Sequence, residues 1–192
     1  MNIRLASPIT RDSIVDGPGL RAVIWAQGCF HHCPGCHNPC THNPFGGFEM
    51  DTADVIEQIR SLRLQKGITL SGGEPFLQPL PLAEIARAAR LCGLNVWSFT
   101  GYTFEQLTNK RDPQYADRMQ LLELVDVLVD GQFMREKRDI SLRFRGSSNQ
   151  RIIDVRRSLA LGAPCTIEEY MKKAMRRQRQ MALPKLPEVA LN

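Results

Sequence analysis

Three cysteines within eight residues, Cys29, Cys33 and Cys36, stand directly behind a short apolar run, 21–27, that reads as a strand. The run combines β-branched and aromatic residues and stops at Gly28. Thiolates at Cys-x3-Cys-x2-Cys spacing can wrap one face of a cubane iron–sulfur cluster, which normally takes four of them. A triplet leaves one iron without a protein ligand, and an open metal position is where chemistry takes place. Cys40 supplies a fourth thiol, and His31, His32, His37 and His42 are close in sequence. On these residues alone, a structural zinc site or a fully ligated electron-transfer cluster stays open. Six cysteines could also make disulfides, but four of them crowd into positions 29–40. Clustered cysteines in a reducing compartment more often bind metal. Cys92 and Cys165 are expected to be ordinary buried or partly buried thiols.

The rest of the chain repeats one pattern. A helix is expected over 51–65, capped by Asp51 or Thr52, with Val55, Ile56, Ile59 and Leu62 as its apolar stripe. A strand at 68–71 ends at Gly72-Gly73-Glu74-Pro75, and a helix follows over 81–92 with proline at its start and Gly93 at its stop. Further strands are expected at 94–100, 125–129 and 151–154, with a helical region over 103–123 broken near Asp112-Pro113. Strand, loop and helix in alternation mean βα units and a parallel sheet. At 192 residues the chain is short of the roughly 250 of a full eight-fold barrel, so an α/β fold with a partial, open βα barrel is expected. In such folds the site lies beyond the C-terminal ends of the strands. The cysteines, Gly72-Gly73-Glu74-Pro75, Thr100-Gly101 and Asp130-Gly131 would then converge on one mouth.

Glycines at 72 and 73 let backbone approach a ligand closely and expose carbonyls that could accept from an ammonium group. Alone this is a weak signal; one βα unit after the cysteine triplet it is a strong one. The pair of motifs resembles the radical S-adenosylmethionine superfamily. The resemblance implies a [4Fe-4S] cluster on Cys29, Cys33 and Cys36, with Cys40 left over. It also implies S-adenosylmethionine chelating the open iron, with Gly35, Cys36, His37, Gly72, Gly73 and Glu74 beside it. Val15-Asp16-Gly17-Pro18-Gly19-Leu20-Arg21, before the first strand, is similar to the lead-in of glycyl-radical activating enzymes. Trp97-Ser98-Phe99-Thr100-Gly101-Tyr102, Val129-Asp130-Gly131-Gln132-Phe133 and 145–151 resemble the branch of that family acting on anaerobic ribonucleotide reductase. Many superfamily members carry an aromatic residue before the third cysteine, where this chain has Gly35.

By this resemblance the enzyme reductively cleaves S-adenosylmethionine to methionine and a 5′-deoxyadenosyl radical. That radical takes hydrogen from a glycine α-carbon of the partner, anaerobic ribonucleotide reductase. A flavodoxin or ferredoxin is implied as electron donor. Such chemistry needs no proton-transfer side chain, and none is assigned. Ser98 and Thr100 alternate along one strand face and could reach a ribose hydroxyl, and Asp130 could hydrogen-bond the cofactor or substrate backbone. His31 and His32 read as loop residues, Trp25 and Trp97 as core, and Arg143 and Arg145 as a solvated edge or a partner contact. Two other readings stay open. One is a superfamily member acting on another glycyl-radical enzyme or on a small molecule, as in deazaguanine synthesis. The other is a non-catalytic metal-binding module that would need Cys40.

The formal charge is +5, and residues 165–192 hold six Lys/Arg against three Asp/Glu. The basic excess is therefore a property of the tail, and no nucleic-acid partner is read from it. The division expected is 1–164 as the radical S-adenosylmethionine partial-barrel domain and 165–192 as a basic helical extension, its helix running through Ile167, Tyr170, Met171, Ala174 and Met175. No long apolar run and no N-terminal apolar stretch is present, so a cytoplasmic protein with no membrane partner is expected.

Overall fold

The computed structural model describes residues 1–172. In chain order the elements are β1 (Asn2–Leu5), β2 (Thr10–Ser13), β3 (Arg21–Ala26), β4 (Phe48–Asp51), α1 (Thr52–Arg60), β5 (Gly67–Gly72) and α2 (Pro79–Leu91). They continue as β6 (Asn95–Phe99), α3 (Phe104–Leu107), α4 (Tyr115–Leu122), β7 (Val127–Asp130), β8 (Arg151–Asp154), α5 (Val155–Leu161) and α6 (Glu168–Met171). One mixed sheet runs in the order β4-β1-β3-β5-β6-β7-β8, with β2 paired to β3. β3, β5, β6 and β7 are mutually parallel and form its centre.

Strand alternation divides the sheet into two different faces. Ile24, Ile68, Leu70, Val96, Leu128 and Ile153 point to one side, where α1, α2, α3, α4 and α5 bury Val55, Ile59, Leu82, Phe104, Leu121 and Val155 against them. Trp97, Val129 and Ile152 point to the other, where Phe144, Ile167, Tyr170 and Met171 pack. Arg21 lies fully buried on that second side. Its guanidinium donates to Thr69 Oγ1 (2.7 Å), Asn95 Oδ1 (2.8 Å) and the Ile68 carbonyl (2.5 Å), and sits 5.4 Å from the Trp97 ring centroid. Burial lowers its pKa to about 10, against the pull of Asp126 and Asp16.

Helix signals in the sequence translate into structure with local physical causes. Asp51 Oδ1 accepts from Ala53 N at 2.9 Å and caps α1. That helix stops at Arg60 rather than running to 65, and its stripe is buried as expected through Val55, Ile56 and Ile59. Proline at the start of α2 is Pro79, two residues earlier than expected. The break near Asp112-Pro113 is real and separates α3 from α4.

Three expectations need correction. The strand at 151–154 is not another parallel unit, because β8 runs antiparallel to β7, pairing Asp130 with Arg151. No crossover helix lies between them, so the chain re-enters the sheet at the end where it left it. The sheet also has an antiparallel margin of β1, β2 and β4 that short polar-rich segments such as Thr10-Arg11-Asp12-Ser13 conceal in the sequence. Cys92 is exposed, not buried, at the C-cap of α2.

The start of the tail is tied to β8. Asp154 N donates to the Cys165 carbonyl at 2.9 Å and Ile167 N to the Ile152 carbonyl at 2.8 Å. Arg145 bridges the Gln150 and Met171 carbonyls, both at 2.7 Å, and Arg143 lies over the Phe144 and Tyr170 rings. Both arginines therefore serve contacts within the chain. α6 spans Glu168–Met171, and the expected continuation through Ala174 and Met175 lies outside the described residues. Among the described residues, no helix is long and apolar enough to cross a membrane.

Leu70 occupies the central strand with no exposed surface. Leu70→Ala should cost about 3 kcal/mol of unfolding free energy, read as a lower urea midpoint at unchanged slope.

Candidate active site

The four parallel strands end at one side of the sheet, and their exits line a cavity of about 350 Å³. Cys29, Cys33 and Cys36 face it from the loop after β3, Gly72, Gly73 and Glu74 from the exit of β5, Thr100 and Gly101 from the exit of β6, and Gly131 from that of β7. The convergence expected from the strand order is thus present for all four exits.

The cysteine loop is held from below by its own backbone. Gly28 N donates to the Thr41 carbonyl at 2.9 Å and Cys29 N to the His42 carbonyl at 3.2 Å. Cys36 N closes a turn onto the Cys33 carbonyl at 3.0 Å, and Asn38 N donates to Cys36 Sγ at 3.4 Å. Burial pushes the Cys29 thiol pKa up, against a lowering from the His31 N–H. Burial raises that of Cys33 likewise, against a lowering from the Phe133 N–H.

The second loop is stitched to the first. Gly73 N donates to the Ala26 carbonyl and Glu74 N to the Gly28 carbonyl, each at 2.7 Å. Gly72 has φ of +102°, and a Cβ there would meet the Ala26 carbonyl oxygen at 2.5 Å. Only glycine lets the two strand exits lie this close. Both amides are thereby engaged, one on the last residue of β3 and one on the glycine just beyond it.

Glu74 is 1 % exposed and its carboxylate joins three segments, the cysteine loop, its own turn and the exit of β6. Oε1 accepts from Phe76 N (3.0 Å) and Thr100 Oγ1 (2.8 Å), and Oε2 from Gly101 N (2.8 Å). Oε2 also meets His31 Nε2 at 2.9 Å. A buried carboxylate without such partners would cost several kcal/mol, so these contacts are a condition of the fold at this end.

Not every expected residue reaches the cavity. Ser98 is fully buried on the helix-covered side of β6, since Trp97 and Phe99 take the other side by alternation. Thr100 is at the cavity, but its hydroxyl donates to Glu74 and accepts from Tyr102 N at 3.1 Å. Asp130 accepts from Phe104 N at 2.8 Å and pairs with Arg151 at 2.5 Å, so it locks β7 to α3 and β8. Arg151 also donates to Glu105, which lowers the Glu105 pKa to about 2. Gly35 is exposed and lies under Phe133 and Arg135, outside the cavity wall, while His37 lines it. Trp25 is half-buried and walls the cavity instead of filling the core. Asp16, Phe133 and Gln150 also line it and were missed as site residues. Each lies inside a stretch that resembles the family, Asp16 in 15–21, Phe133 in 129–133 and Gln150 in 145–151.

Residues 15–153 match the family model described as "4Fe-4S single cluster domain". An Escherichia coli protein named "Anaerobic ribonucleoside-triphosphate reductase-activating protein" is 38% identical over 146 residues, covering 71% of this chain and 90% of the relative. Proteins of the same name from Salmonella typhimurium (39% over 145 residues, 71% and 90%) and Vibrio cholerae (35% over 159 residues, 78% and 96%) agree. This chain belongs to the reductase-activating protein family.

The donor set of this family member fits the family's cluster. Three thiols line one cavity, and none is in a disulfide. Among the described residues, no three His, Cys, Asp or Glu side chains converge on a point that one ion would occupy. A cubane takes one thiolate on each of three irons, so the three thiols need not meet at one point. Cys40 is exposed and is not among the cavity-lining residues. A [4Fe-4S] cluster and S-adenosylmethionine are the cofactors this membership brings.

Replacing Cys29, Cys33 or Cys36 by Ala should abolish iron and sulfide retention after anaerobic reconstitution, whereas Cys40→Ala should retain it. The raised thiol pKa values of Cys29 and Cys33 carry a sign that can be checked. Cluster loading must strip protons these thiols hold at neutral pH, so loading should release protons and weaken as pH falls. Iron retention measured at descending pH tests this.

Proposed function

We propose that this chain is a radical S-adenosylmethionine activating enzyme that installs a glycyl radical on anaerobic ribonucleotide reductase. Its one-sided sheet is the partial, open barrel of that superfamily, over residues 1–164, with 165–192 as an extension. The observation that carries the reading is the meeting of three thiols with the Gly72-Gly73 backbone in one cavity. The names of the relatives support the reductase as the target over a small molecule.

Cys29, Cys33 and Cys36 would supply the three protein thiolates that hold the cluster. The carbonyls of the Gly72-Gly73 loop take the ammonium end of S-adenosylmethionine, and His37 and Cys36 flank it. When bound, the cluster supplies the electron that cleaves the carbon–sulfur bond to methionine and a 5′-deoxyadenosyl radical. Trp25, Phe99 and Phe133 wall the cavity with aromatic surface, which keeps water from a reactive carbon. The cysteine loop and residues of 131–150 border the cavity, and a glycine-bearing loop of the partner would enter between them. Asp130, Ser98 and Thr100 act on the scaffold. A flavodoxin or ferredoxin delivers the electron, in the cytoplasm, and no nucleic acid or membrane is involved.

Anaerobic reconstitution followed by dithionite and S-adenosylmethionine should yield 5′-deoxyadenosine, and adding the reductase should produce the electron-spin-resonance doublet of a glycyl radical. Nucleoside formation without the doublet would move the substrate elsewhere. No nucleoside from the loaded protein would end the reading.

A further inference from the structure

His31 sits in the middle of the cysteine loop, yet its ring belongs to three other loops. Nε2 lies 2.9 Å from Glu74 Oε2, and Nδ1 lies 3.1 Å from Gln132 Nε2. The Glu74 carboxylate accepts, so Nε2 carries the hydrogen and Nδ1 is left to accept from the Gln132 amide. The ring meets Tyr102 edge-on at 4.7 Å between centroids. Gly101 presses against it so closely that a Cβ there would stand 2.4 Å from a ring carbon. The imidazole is only 12% exposed and lines the cavity. Its own backbone N–H is directed at the Cys29 sulfur.

These contacts link the cysteine loop at 29–36, the cofactor loop at 72–74, the exit at 100–102 and the partner-facing segment beginning at Gln132. Nothing else described in the cysteine loop reaches all of these through one side chain. We propose that His31 is a positioning residue, which sets the cysteine loop at a fixed distance from the Gly72-Gly73 loop and passes that setting to Gln132. It is not a metal ligand, since both its ring nitrogens face protein partners. The proposal rests on the radical S-adenosylmethionine reading of the site.

A residue in this role controls how well the bound cofactor meets the open iron without deciding whether the cluster forms. His31→Ala should therefore keep the iron and sulfide content of the wild type and the same spin quantity after reduction. The electron-spin-resonance change that S-adenosylmethionine induces should need about tenfold more cofactor, the loss expected for one hydrogen bond to a charged partner. The KM for S-adenosylmethionine should rise more than kcat falls. His31→Gln, which can still donate to Glu74, should recover most of the affinity. Gln132→Ala should shift the same titration in the same direction by less, and it decides the matter if His31→Ala does not fold.

An unchanged titration in a folded His31→Ala, or in Gln132→Ala when that variant is the one left to read, overturns the proposal. So does loss of the cluster from a folded His31→Ala, which would put the ring in the metal shell. If the wild type itself shows no change on adding S-adenosylmethionine, the reading of the site fails instead, and the two failures are distinct.

Discussion

The end of the sheet that carries the site depends on one buried anion. Glu74 brings its carboxylate to near-zero exposure and satisfies it with two backbone amides, one hydroxyl and one imidazole. One partner comes from the turn that follows, two from the exit of β6 at Thr100 and Gly101, and one from the cysteine loop. Hydrogen bonds to a charged acceptor are worth about 1.5–3 kcal/mol, and leaving the charge unpaired costs more. The three strand exits therefore cannot drift independently. The glycines on either side make this possible: Gly72 and Gly73 press the exit of β5 onto that of β3, and Gly101 leaves room for the His31 ring.

A second carboxylate does comparable work further along. Asp130 joins β7 to the start of α3 and to Arg151, which in turn holds Glu105. Read from the sequence, Asp130-Gly131 looks like a cofactor contact, because it follows a strand at the active end. In the structure its oxygens are occupied by protein partners. Ser98 illustrates a different limit. It lies on β6 as expected, but sharing parity with Thr100 does not give it the same surroundings, because Thr100 lies past the last paired residue of β6. Beyond that point the chain turns, and parity no longer says which way a side chain points.

The two faces of the sheet divide the labour. One is covered by α1–α5 and filled with aliphatic residues, a packing that supplies stability. The other carries Arg21, Trp97 and the aromatic ring set that Tyr170 and Phe144 complete, and it leads to the cavity. Helices α1–α5 cover one face of the sheet, and the cavity lies at the ends of the four parallel strands. The opening turn of the tail packs Ile167, Tyr170 and Met171 onto Trp97, Val129 and Ile152 on the second face, so these residues belong to the core.

The sequence by itself determined the chemistry-bearing spacing and the parallel centre. Cys29, Cys33 and Cys36 are local, and so is Gly72-Gly73-Glu74-Pro75; alternation of apolar strands with helix signals is local too, and local patterns survive without knowledge of the fold. What tertiary structure alone decided is what each polar side chain meets. The antiparallel return of β8, the outer strands β1, β2 and β4, the inward turn of Glu74 and the capture of His31 all rest on contacts between separate segments of the chain, or on the absence of a helix between two strands. Pairing between such segments is set by which partners fold into reach of one another, and a short-range pattern carries no record of it.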